Sequence, residues 1–234
     1  MRLGIMQPYF FPYIGYFQLM NLVDEFVIYD NIKYTKESWI NRNRILVNGE
    51  ASYISIPLKK DSDHRDIYQR RLADNWPTER RKLINRIFAC YKKAPQFDTV
   101  YPIIEQSLSS TAMNVFDFIL RTLETTKNYL GIETPLLISS TIPINHQLNG
   151  EDKILEICRA RKATVYINPS GGVALYDKEH FFKNGVDLIF LKTNDFNYPQ
   201  FDNIFLPSLS IIDVMMFNAK DAIHTFLDSY YTFP

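Results

Sequence analysis

The chain has 234 residues, 46% of them hydrophobic and 22% charged, with 26 basic and 26 acidic side chains. That length suits one large domain with its own core, and the balanced charge gives no basic field for a nucleic-acid partner. No apolar run approaches the roughly 18 residues of a membrane span. Pro8 and Pro12 interrupt what would be a signal-peptide core, so a cytoplasmic setting is expected.

Arg2 to Met6 reads as a short buried strand that Pro8 must end, because proline removes a backbone donor and fixes φ. Pro12 opens a helix running to about Val23, with Ile14, Phe17, Leu19, Met20 and Leu22 as its apolar positions. Glu25 to Tyr29 is continuous and apolar, as a central parallel strand is. Ile45 to Val47, the Asn48-Gly49 pair and Ser52 to Leu58 form a hairpin signal. Lys59 to Arg71, with Asp61, Asp63, His64, Arg65 and Asp66, reads as a charged surface loop. A helix begins at Pro77, with Asn75 or Trp76 near its cap, and stops at Ala94-Pro95. Two more helices follow, over about 98–108 and 112–130, the second ending at Gly131. Thr134 to Ser139 is a strand, Gly150 to Ala160 a helix, and Thr164 to Ile167 a strand running into Asn168-Pro169-Ser170-Gly171-Gly172. Leu175 to Lys183 is a helix and Asp187 to Leu191 the last clear strand.

This alternation predicts an α/β protein: a mostly parallel sheet with helices on both faces. Residues 41–131 break the rhythm and read as a β-hairpin and helical insertion within a single domain spanning 1–234.

Four places put polar groups at predicted strand ends. Gln7 beside Pro8 and Tyr9 offers donors and an acceptor, for a ligand or for capping the turn. Asp30, with Asn31 and Lys33, follows a buried strand. It can orient a hydroxyl or amine or act as a base, and equally cap the next turn or pair with Arg42 or Arg44. Asn41-Arg42-Asn43-Arg44, if extended, puts the arginines on one face and the asparagines on the other. Paired guanidiniums suit an anion, although a charge run is also an ordinary solvated face. Gly171-Gly172 allows close approach of a ligand at a helix start, or is a plain turn; its spacing is neither GxGxxG nor a P-loop.

Cys90 and Cys158 fall in helical patterns away from any CxxC, so zinc is not expected and both read as buried free thiols. His64, His146, His180 and His224 show no metal-ligand spacing; only His64, beside acids in a polar loop, stands apart. No nucleophile-elbow motif is present, and neither a metal nor a cofactor is expected.

The segments MQPYFFPYIGYFQL, VIYDNIKYTK, WINRNRI, YKKAPQF, YINPSGGVALYD and FLPSLSIIDVMMFN, in order from residue 3 to 218, resemble the WbqC-like proteins. That family often has His before the Gln-Pro pair, where this chain has Met6. The resemblance implies Gln7 and Asp30 as catalytic residues and Tyr9, Asn41, Arg42, Asn43, Arg44, Tyr91, Gly171, Gly172 and Asp213 as substrate-binding ones. It implies a cytoplasmic transferase that adds an aminoacyl (such as glycyl) or other acyl group to a nucleotide-linked sugar in bacterial surface-polysaccharide (O-antigen) biosynthesis. The partners would be a nucleotide sugar and an acyl donor. An ATP-dependent amide-forming ligase and a non-enzymatic nucleotide-sugar binder are the alternatives. A second likeness, in the first strand's bend and in Ile138-Ser139-Ser140-Thr141, is to Rossmann-like nucleotidylyltransferases, whose paired histidines are absent here. No feature sets an oligomeric state.

Overall fold

The computed structural model describes residues 1–62, 64–202 and 204–234; Asp63, within the charge-rich loop, lies outside the described residues. The chain runs β1 (Arg2–Met6), α1 (Ile14–Leu22), β2 (Glu25–Ile28), β3 (Arg42–Val47), β4 (Glu50–Ser55), α2 (Trp76–Tyr91), α3 (Phe97–Leu108) and α4 (Val115–Leu130). It continues β5 (Leu136–Ile138), α5 (Gly150–Ala160), β6 (Val165–Pro169), α6 (Lys178–Lys183), β7 (Asp187–Thr193), α7 (Ile211–Phe217), α8 (Lys220–Ser229) and β8 (Tyr231–Thr232).

Six strands form one sheet in the order β5-β2-β1-β6-β7-β8; β3 and β4 form a separate hairpin. All neighbours in the large sheet are parallel except β7 and β8, which pair antiparallel. Strands added after β1 first go to one side, β2 then β5, and then to the other, β6 then β7. The reversal lies between β1 and β6, and a crevice opens there beyond the carboxyl ends of the strands.

Each strand sorts its side chains onto two cores. Leu3, Ile5, Val27, Tyr166, Leu188 and Phe190 pack with α5 and α6 on one face. Phe26, Ile28, Ile167 and Leu191 pack on the other with α1, the hairpin, α2 to α4, α7 and α8. The period of two along the strands produces this division. Hydrophobic runs in β1, β2 and β6 reflect burial on both faces.

The local signals act as chemistry requires. Asn48 and Gly49 adopt φ of 50° and 83°, the left-handed pair that a two-residue hairpin turn needs. Asn114 caps α4 by accepting from the Phe116 and Asp117 amides, and Gly131 ends it at φ 71°.

Several expectations need correction. The strand expected over 134–139 is confined to β5, because Ser139–Thr141 turns into a 3-10 helix. The helix expected from Leu175 is two pieces: a 3-10 turn over Ser170–Leu175, then α6, capped by Asp177 accepting from the Glu179 amide. Tyr176 between them is extended at φ −136°, and a double glycine is a poor α-helix start. Within the loop of 59–71, Ile67–Gln69 forms a 3-10 turn closed by an Asp66/Gln69 capping box, and Ile67 and Arg70 are buried. Of Asn41-Arg42-Asn43-Arg44, Arg42 to Arg44 are extended within the hairpin, Arg42 starting β3 paired with Ser55. Beyond β7 the chain forms α7, α8 and β8, where the sequence reading found no element. α7 is buried all round, so it carries no periodic polar face to betray it.

Candidate functional site

A crevice of about 480 Å3 lies at the carboxyl ends of β1, β6 and β7, at the topological reversal. Its floor is Met6 and Leu191; its walls include Tyr9, Tyr13, Trp39, Asn43 and Arg44; Ser170, Lys192, Thr193, Asp195 and Ser208 complete the polar rim. The wall opposite the sheet is the first strand of the hairpin, so the insertion at 41–131 contributes directly to the site.

What holds that wall in place is a knot around Phe10-Phe11-Pro12. Phe11 is buried at φ 41°, a left-handed conformation unusual for a bulky side chain. Asn43, 3% exposed, donates its Nδ2 to the carbonyls of Phe10 (3.1 Å) and Phe11 (2.8 Å). Its Oδ1 accepts from the Arg44 amide at 2.8 Å. Ser210 Oγ donates to the same Phe11 carbonyl at 2.8 Å, and the Ser210 amide donates to the Arg44 carbonyl. The Ile211 amide donates to the Pro12 carbonyl. The aromatic bend, β3 and the start of α7 are thus tied together by buried polar groups, each with a partner.

Arg44 is half-buried. Its Nη2 donates to the Ser208 carbonyl at 3.2 Å, and its guanidinium carbon lies 5.7 Å from the Trp39 ring centre. Its Nε is buried with no partner among the described residues, and no carboxylate pairs with it there. A guanidinium in a crevice wall with no carboxylate beside it is a charge suited to an anion.

On the sheet side, Thr193 Oγ donates to Gln18 Oε1 at 2.7 Å. Gln18 is fully buried, and its Nε2 donates to the Phe226 and Tyr230 carbonyls at the end of α8. Burial raises the Tyr13 hydroxyl's pKa; its hydrogen bond with Thr193 opposes that rise and the charge of Asp195 adds to it. Burial alone raises Tyr9. Both phenols are therefore neutral hydrogen-bonding groups near neutral pH. Asp195 supplies the carboxylate of the lining.

The structure brings Tyr9, Asn43 and Arg44 of the expected site residues to the crevice and places the others elsewhere. Gln7 is half-buried, and its backbone carbonyl accepts from the Tyr16 hydroxyl at 3.0 Å. Arg42 shares the Arg44 face of β3, with its guanidinium carbon 4.7 Å from the Tyr53 ring centre. Asn41 lies at another cleft, lined also by Tyr34, Lys60 and Arg70; it accepts from the Tyr34 hydroxyl and donates to the Ile56 carbonyl. Gly171 has open space around it, whereas a Cβ on Gly172 would meet Asn168 Oδ1 at 2.7 Å. That glycine is required by Asn168 itself.

Asp30 is 1% exposed and accepts from the Ser140 amide (2.9 Å) and the Ser140 hydroxyl (2.6 Å). It pairs with neither Arg42 nor Arg44. Beside it, Asn31 accepts from the Ser139 hydroxyl, its amide lies 2.9 Å from His146 Nδ1, and its carbonyl accepts from Lys153 Nζ at 3.1 Å. Burial lowers the Lys153 pKa, against the pull of Asp66 and Asp30.

Tyr91 and Asp213 lie in the interior. Asp213, fully buried, accepts from the hydroxyls of Tyr91 and Tyr198, both at 2.8 Å, and from Gln200 Nε2 at 2.7 Å. Tyr91 in turn accepts from the Leu46 amide at 3.0 Å. Burial raises the Asp213 pKa, and its three donors only partly offset that. This knot joins α2, β3 and α7 behind the crevice wall.

Trp39, Thr193, Lys192, Asp195 and Ser208 were missed by the sequence reading. Trp39 sat next to the run already singled out; the others lie in the stretch after Leu191, where no pattern marked an element. Among the described residues no three His, Cys, Asp or Glu side chains gather as metal ligands. No helix there is long and apolar enough to cross a membrane. Cys158 is buried, which pushes its thiol up to about 12; Cys90 is half-buried and also raised by burial.

A mostly parallel sheet, helices on both faces and a polar crevice at the strand reversal define a Rossmann-like α/β protein with an inserted hairpin. The chain belongs to the WbqC-like protein family, whose model matches residues 7–225. It is also 28% identical over 221 residues to the uncharacterized protein Rv1507c of Mycobacterium tuberculosis, covering 92% of each chain. No solved structure matches it.

Proposed function

We propose that the crevice is the active site of a transferase that places an aminoacyl or other acyl group on a nucleotide-linked sugar. One observation carries this reading. At the reversal of the sheet, Arg44, with no carboxylate paired to it among the described residues, lines a space walled by Tyr9, Tyr13 and Trp39. Guanidinium forks suit phosphate or carboxylate, and aromatic walls with convergent polar groups suit a sugar ring or base.

In this reading Arg44, with Lys192 at the rim, holds the anionic part of the substrate. Trp39 and the tyrosines wall the ring, and Ser170 and Thr193 contact hydroxyls. The acceptor's amine or hydroxyl attacks the acyl carbon and gives its proton to the Asp195 carboxylate. The donor's leaving group departs with the bonding pair. Asp30, already accepting two hydrogen bonds from Ser140, fixes the loop after β5.

The test is calorimetric titration of UDP-linked hexoses and aminohexoses against the wild type and Arg44→Ala. Loss of a charge-assisted hydrogen bond should weaken binding about tenfold or more. Asp195→Asn should bind normally and lose turnover with an acyl donor. If Asp195→Asn changes affinity alone, the protein is a binder and not a transferase. If no UDP-sugar binds the wild type, the reading falls.

A further inference from the structure

Beside the crevice lies a second cavity of about 590 Å3, walled by Phe196, Phe205, Phe226 and Tyr230. The two meet along one lip. Asp195 lines both, and Pro207 of the cleft is followed directly by Ser208 of the crevice. They also share a support. Fully buried Gln18 accepts from Thr193 Oγ on the crevice side and donates to the carbonyls of Phe226 and Tyr230, two residues of the cleft wall. The Asn194 amide donates to the same Tyr230 carbonyl at 2.9 Å. The segment carrying Phe205 and Pro207 is pinned by Gln200, which donates to the Leu206 carbonyl (3.1 Å) and accepts from the Leu206 amide (2.7 Å).

The lining selects its occupant. Asp195 is its one charged side chain among the described residues, and no Lys or Arg stands there to receive a phosphate or carboxylate. A bound cation needs ring faces opened around it. Here Phe196 and Phe226 lie against each other at 4.6 Å and 34°. Tyr230 meets both near edge-on, at 72° and 84°, so the rings cover much of one another and form no cage. A neutral apolar body is what remains. It removes from water four rings that are only half-buried and needs no counter-charge.

We propose that the aromatic cleft is the acyl-donor pocket and takes the uncharged, apolar acyl chain of an activated ester or thioester. This deepens the transferase reading and rests on it for the acceptor in the crevice. The chain lies along Phe196, Phe205 and Phe226, and the acyl carbon comes to the lip at Asp195, beside the acceptor's nucleophile. A bond from that nucleophile to the acyl carbon forms as the bond to the donor's sulfur or oxygen breaks. The departing atom leaves with the electron pair and receives the proton that Asp195 took from the nucleophile. A carboxylate lining both cavities is placed for both proton transfers.

The experiment titrates acetyl, hexanoyl and glycyl thioesters of N-acetylcysteamine, and separately a UDP-linked aminohexose, into the wild type, Asn197→Trp and Phe205→Ala. Asn197 is exposed at the cleft, so a tryptophan there fills the space without opening the core, and urea melts serve as the folding control. Hexanoyl should bind about tenfold or more tighter than acetyl, as its further methylenes leave water. Asn197→Trp should abolish that preference and Phe205→Ala reduce it, while both bind the UDP-sugar as the wild type does. A glycyl thioester bound more tightly than the hexanoyl one makes the cleft a cation site and overturns the proposal. Equal binding of acetyl and hexanoyl, or a preference untouched in both folded variants, overturns it too; UDP-sugar binding would then leave the transferase reading standing. A hexanoyl preference without any UDP-sugar binding upholds the acyl pocket and removes the nucleotide-sugar reading.

Discussion

Asp213 illustrates how a polar residue can matter greatly without touching a ligand. Three donors converge on its buried carboxylate, from α2, the segment before α7 and Gln200. Removing the acceptor strands two buried phenols and takes one partner from the Gln200 amide, which keeps the Leu206 carbonyl, so Asp213→Ala should destabilise the fold by about 3 kcal/mol or more in urea unfolding. Tyr91→Phe strands only the Leu46 amide and one carboxylate oxygen and should cost less. The resemblance pointed to both residues as substrate-binding, and a motif match cannot tell a residue that touches a ligand from one that braces the wall behind it. Asn43 is similar: its side chain is spent on the Phe10 and Phe11 carbonyls, while its neighbour Arg44 lines the crevice.

Among the elements, α1 is pressed against the end of β7. A Cβ on Gly15 would lie 2.5 Å from Thr193 Oγ1, and that hydroxyl is committed to Gln18. Gly15→Ala should therefore push the helix outward and cost about 1–3 kcal/mol by overpacking. The double variant with Thr193→Ala should recover part of that loss in the same urea melt, since the obstructing oxygen is gone. In the sequence, Gly15 reads only as a flaw inside a helix. Its purpose depends on a residue 178 positions later, at Thr193. Strands β1, β2, β6 and β7 were legible because burial on both faces writes a continuous apolar run. β5 has only three residues, all half-buried, and its limits were not. α7 was invisible for the opposite reason, being buried on every side.

For the molecule as a whole, acidity acts through the layer opposite the crevice. His180 on α6 contacts Glu151 on α5 at 2.6 Å, with Asp152 and Asp177 close by. The hydrogen bond to Glu151 raises the His180 pKa above its ordinary value, and the surrounding acids add to it. A raised pKa in the fold means a contribution fully present below the unfolded value and lost as pH rises through the folded one. The melting-temperature difference between the wild type and His180→Gln should thus be largest below the ordinary histidine pKa of about 6.5 and shrink as the pH rises above it. A difference that grows with pH would contradict this.

Sequence alone determined the layered α/β architecture, the hairpin at Asn48-Gly49, the Gly131 end of α4 and the shared face of Arg42 and Arg44. These follow from periods of two and 3.6 residues and from the dihedral limits of Gly, Asn and Pro, which act over a few neighbours. Tertiary structure alone decided that Arg44 meets Trp39 and Lys192 in one crevice while Asp30 turns to Ser140 and Asp213 to Tyr91. Trp39 apart, such partnerships join residues more than a hundred positions apart. They depend on strand order and on which carbonyl or carboxylate reaches a donor first, and no local pattern along the chain encodes that outcome.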